Sequence, residues 1–151
     1  MEHVFYGAAV YGSVVATALV AAEFEGHTGA RTMTLSLLAT MFVLWLAHLW
    51  SETVGAPVGR ARLRAVAAAE WPLVEAGLVP VALLALAWAG VWSRDTGALL
   101  AIAAGILQLA AWGLAAGLRS HERLPAAAVR GLVDAALGLA IVGLEVGIHH
   151  L

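Results

Sequence analysis

Several ionisable residues of this chain stand inside or beside long apolar runs, and their spacing groups them. His48 and Glu52 are four residues apart at the end of one run, so on a helix they share a face. Glu75 lies near the start of the next run, and an antiparallel pair of helices would bring all three together. An imidazole with two carboxylates suits a divalent metal such as zinc, manganese or iron, or a protonatable relay. His48, Glu52 and Glu75 are therefore candidate metal ligands, and a divalent ion is the one cofactor the spacing suggests. HxxxE is far less specific than HExxH. The plainer alternative leaves Glu52 among lipid headgroups and His48 capping a helix end.

Asp134 is the deepest charge. It lies roughly 12 Å beyond the start of the last apolar run at 1.5 Å per helical residue, where a charge costs about 2.5–3.5 kcal/mol on insertion scales. Arg130 is one turn earlier on the same face. An Arg130–Asp134 ion pair is one explanation, and a transport or proton-relay role for Asp134 is the other. Glu145 and His149, again four apart, fall toward the opposite end, with Glu23, Glu25 and His27 on that same side. These either form an acidic vestibule that attracts cations or are ordinary interface residues. Asp134, Glu145 and His149 together outline a candidate ion pathway. Thr32, Ser36, Thr40, Tyr6, Tyr11, Ser13, Thr17 and Gln108 add polar groups that serve either as relays or as partners for their own helix backbone.

Other chemistries find no footing. There is no cysteine, hence no disulfide, thiolate metal site or thiol nucleophile, and all eight basic residues are Arg. His48 and His149 fall at opposite faces, against bis-His haem in one chain. No P-loop, dinucleotide fingerprint or GxSxG elbow occurs. The basic residues are too few and too close to apolar runs for a nucleic-acid site.

The elements that must position these residues are long and apolar. The 151 residues are 62% hydrophobic and only 12% charged, half the roughly 25% of a soluble domain, with a mean hydropathy of +0.90. A spanning helix needs about 20 mostly apolar residues. Five runs qualify: 4–22, 32–51, 71–93, 96–118 and 126–150. The expected fold is a single all-α domain, 1–151, forming a polytopic five-helix membrane bundle. No basic leader precedes the first run, which is read as a retained helix.

Arg60, Arg62, Arg64, Arg119, Arg123 and Arg130 fall on the side of the N-terminus, and Arg31 and Arg94 on the other. The positive-inside rule then sets the N-terminus in the cytoplasm and the C-terminus outside. Trp50 and Trp71 fit an inner aromatic belt and Trp92 an outer one. Between the second and third runs, Gly55, Pro57 and Gly59 break the chain, and 60–70 reads as a short cationic helix on the membrane surface. Its Arg60, Arg62 and Arg64 would meet anionic lipid headgroups, or the segment is a solvated connector. Pro72 fits the first turn of the third helix, and Pro80 should bend its middle. Ala8, Gly12 and Ala16, then Gly113 and Gly117, then Gly131, Gly138, Gly143 and Gly147 provide small-residue spacing for close helix packing, within the chain or in a homo-oligomer.

Segments such as WLAHLWSE and EWPLVEAG resemble those of small bacterial integral membrane proteins, so the expected location is the bacterial inner membrane. The leading functional expectation is movement or sensing of a cation, a proton or divalent metal, along the ionisable track. The alternatives are a non-catalytic subunit, assembly factor or lipid-binding scaffold and, third, a lipid-modifying enzyme using His48 and Glu52 as an acid–base pair. An enzyme is the lesser expectation.

Overall fold

A computed structural model of the chain describes the backbone of residues 2–54, 59–121 and 123–149, and the side chains of these from 6 through 148. Gly55, Pro57 and the side chain of His149 lie outside the described residues. The described chain is all-helical: α1 (Glu2–Glu25), α2 (Ala30–Thr53), α3 (Arg60–Trp88), α4 (Arg94–Arg119) and α5 (Leu124–His149). All five are, by length and composition, long and apolar enough to cross a membrane, as in a multi-pass membrane protein.

Helix order in space follows from which faces carry small residues. α1 packs on α3, α4 and α5; α3 packs on α2 and α4; α5 packs mainly on α4. The outermost helices, α2 and α5, turn large apolar side chains outward, Phe42 and Val43 on one and Leu132 and Leu144 on the other. The interior is filled by Val20 of α1, Met33, Leu37 and Met41 of α2, Leu73 and Leu84 of α3, and Leu109 of α4. Gly12 is needed where α1 crosses α3: a Cβ there would come within 2.5 Å of the Leu73 carbonyl oxygen. Gly131 does the same on α5, where a Cβ would meet the Ala110 carbonyl at 2.7 Å. Gly143 and Gly147 have no such neighbour.

The third helix departs from expectation at both ends: it stops at Trp88, where the expected run reached 93, and it starts earlier. The segment 60–70 does not form a separate surface helix: α3 runs unbroken for 29 residues from Arg60 through Pro72 and Pro80. Pro72 is thus an interior residue and not a first-turn one. At 1.5 Å per residue α3 is about 43 Å long, more than a hydrocarbon core of about 30 Å. Its first turns, with Arg60, Arg62 and Arg64 exposed, are long enough to project past the apolar layer. An interior proline deprives the carbonyl four residues back of its donor. Neighbouring helices compensate for such losses in membrane proteins. The Trp45 indole of α2 donates at 3.1 Å not to that carbonyl, which for Pro72 is that of Ala68, but to its neighbour, the Ala67 carbonyl, and pins α2 to this stretch.

The far end of the bundle is locked by Arg94. Its Nε donates to the Thr28 carbonyl at 2.9 Å, its Nη2 to the Phe24 and Glu23 carbonyls at 2.6 and 3.3 Å, and its guanidinium stacks over the Phe24 ring. Those carbonyls belong to the last turn of α1 and the turn that follows it, where helix carbonyls lack intrahelical donors. The same turn is closed by Thr28 N–H donating to Glu23 and His27 N–H to Phe24, with His27 at φ 55°. That is the left-handed helix-end geometry usually given to glycine.

Candidate functional site

The up-and-down alternation brings together the start of α1, the end of α2, the first half of α3, the end of α4 and the start of α5. Between α1, α3 and α4 at this end lies a cavity of about 560 Å³. Its walls include Tyr6, Trp71, Trp112, Glu75, Arg119 and Pro72. The Tyr6 and Trp112 rings meet edge-on, 6.0 Å between centroids at 68°. Trp71 is held edge-on by Trp45 at 5.7 Å and 88°. The Arg119 guanidinium lies over the Tyr6 ring, 5.5 Å from its centroid. Aromatic walls with one carboxylate and one guanidinium match the general make-up of a ligand site, mostly apolar with a few polar groups that fix orientation.

Tyr6 also borders a second crevice, of about 440 Å³, shared with Tyr11, Val14, Ala116, Arg130 and Asp134. Asp134 is half-buried there and faces Gly113 across the α4–α5 seam; a Cβ at Gly113 would strike its carboxylate. Arg130 borders the same crevice one turn away and acts electrostatically on Asp134. Deeper in the bundle, Ser13 Oγ and Gln108 Oε1 are buried with no hydrogen-bond partner.

The expected metal set is not assembled. Among the described residues no three His, Asp or Glu side chains come together to hold a metal ion. His48 Nδ1–H donates to the Leu44 carbonyl at 3.0 Å and its ring packs on Tyr11 at 5.3 Å. Glu52 is exposed, and Glu75, also exposed, borders the aromatic cavity. His48 is thus engaged by Leu44 and Tyr11, while Glu75 faces the cavity.

At the opposite end, Glu23 accepts a hydrogen bond from the Ser36 hydroxyl at 2.5 Å, while its other carboxylate oxygen is buried without one. His27 is exposed and its Nδ1–H donates to the Glu25 carbonyl at 2.8 Å. Glu145 is half-buried on α5. Thr17 and Thr34 donate to carbonyls one turn back in their own helices, the local use of a membrane hydroxyl.

Sequence reasoning passed over Tyr6, Trp112 and Arg119 as a unit. A signal was present: Trp112 stands seven residues inside the end of α4, about 10 Å, too deep for a headgroup-level belt. No protein-family model, curated protein or solved structure gives a significant match to the chain.

Proposed function

We propose that this is a non-catalytic membrane protein that binds a small amphiphilic ligand in the cavity between α1, α3 and α4. The supporting observation is the cavity itself: about 560 Å³, walled by Tyr6, Trp71 and Trp112, with Glu75 and Arg119. That volume falls in the range of ligand pockets, about 300–1,000 Å³. In this reading the membrane is a bacterial inner membrane, and the positive-inside rule favours a cytoplasmic side for this end, with most of the Arg residues and the exposed Arg60, Arg62 and Arg64 near anionic headgroups. Ligand enters from the inner leaflet in this reading. The test is native mass spectrometry of the protein released from membranes. One ligand mass per chain is expected on wild type and not on Trp112→Ala. Bare wild type, or equal retention by the variant, would contradict it.

A second reading, movement or sensing of a proton or other cation, draws on the crevice where Asp134 is half-buried beside Arg130. The buried, unsatisfied Ser13 Oγ and Gln108 Oε1 add support, since such atoms in a native interior call for an explanation. In liposomes with a pH-sensitive dye, wild type would then exceed Asp134→Asn in flux. Wild type indistinguishable from protein-free vesicles would end that reading.

A further inference from the structure

The charges of the cavity say more about its occupant than its apolar walls do. Glu75 and Arg119 both border it, one carboxylate and one guanidinium. Among the described residues neither has a hydrogen-bond or ion-pair partner. A purely cationic ligand would meet Arg119, and a purely anionic one would meet Glu75. A ligand bearing both signs satisfies both at once. We infer that the cavity binds a zwitterion, its ammonium against Glu75 and the Trp71 and Trp112 rings, its phosphate or carboxylate against Arg119.

The layout fits that assignment. Trp71 and Glu75 are four residues apart on α3, so ring and carboxylate share a face. Trp112, held by Tyr6, faces the same space. Indole faces beside a carboxylate are a setting that attracts an alkylated ammonium, which retains few hydrogen-bond needs and gains cation–π attraction. Arg119 ends α4, seven residues nearer the end of the bundle than Trp112. Its guanidinium lies over the Tyr6 ring, and its N–H donors suit a planar or tetrahedral oxyanion. Ammonium and oxyanion are thus received by different helices.

This inference rests on the amphiphile-binding reading, and the two are separable by experiment. A phospholipid headgroup and a free soluble zwitterion share the chemistry. The purified full chain in a non-ionic maltoside is titrated by tryptophan fluorescence with a short-chain phosphocholine lipid. Parallel titrations use a phosphoglycerol lipid and a trimethylammonium amphiphile with the same tails, and free phosphocholine as competitor.

The expected result is saturable binding, tightest for the phosphocholine lipid and about tenfold weaker for either single-sign amphiphile. Glu75→Gln and Arg119→Gln each lose about tenfold toward phosphocholine, with unchanged helical circular dichroism. Competition by free phosphocholine shows that the headgroup alone is read. Lack of it, with tight lipid binding, identifies the lipid as the source; either upholds the zwitterion. Equal affinity for all three amphiphiles, still abolished by Trp112→Ala, overturns the charge assignment and leaves amphiphile binding in place. No saturable binding of any amphiphile overturns both.

Discussion

Tyr6 packs edge-on against Trp112, centroids 6.0 Å apart, and so ties the first turns of α1 to the last third of α4. The same tyrosine borders both the aromatic cavity and the Asp134 crevice, and it carries Arg119 on its face. Edge-to-face pairs contribute about 0.5–1.5 kcal/mol beyond area burial. A double-mutant cycle of Tyr6→Ala and Trp112→Ala, read by thermal unfolding in detergent, should return a coupling of about 1 kcal/mol. Additive effects would show that the two rings touch without supporting one another.

Arg94 holds the end of α1 and the turn after it by three carbonyls, those of Glu23, Phe24 and Thr28, at 2.6–3.3 Å. Hydrogen bonds to charged groups contribute about 1.5–3 kcal/mol each, less where partly exposed. Arg94→Ala should lower stability by about 2 kcal/mol and speed amide exchange across 23–28. Arg94→Lys should not restore it, because an ammonium lacks the planar fork and the stacking face. Rescue by lysine would mean that charge alone matters here.

Glycine positions divide by what faces them. Gly12→Ala puts a methyl into the Leu73 backbone and should cost about 1–3 kcal/mol as overpacking. Gly143→Ala, with open space around it, should stabilise by about 0.5–1 kcal/mol through helix propensity. Detergent unfolding of both variants checks the pair, and a Gly143 variant that unfolds early would point to a packing partner outside this chain.

His48, Glu52 and Glu75 do not converge as ligands. Elemental analysis of the purified protein should find no stoichiometric zinc, manganese or iron, and EDTA should leave the unfolding temperature unchanged. One equivalent of metal that His48→Ala removes would contradict the arrangement.

The spans were legible because the bilayer dictates a length and a composition, and α1, α2, α4 and α5 extend the expected runs by at most a few residues at their ends. The start of α3 was not. Gly and Arg after the break, and Pro72 ahead, read as a surface helix followed by a new one, because local proline chemistry says nothing of the packing of α2 on α3, which Trp45 pins at Ala67. Asp134 stands within α5, and its depth along the sequence could not reveal that Gly113 makes room for it. The aromatic cavity was the least legible feature. Its walls come from three helices, and Tyr6, Glu75 and Trp112 become neighbours only once helix rotations are fixed.

Location of the ligand tests the central claim most directly. A photoactivatable phosphocholine lipid, crosslinked in membranes and mapped by peptide mass spectrometry, should label chiefly the peptides carrying Tyr6, Trp71–Glu75 and Trp112. Labelling should fall in Trp112→Ala. Labelling spread evenly over the outward faces of α2 and α5, unchanged by that substitution, would contradict the account.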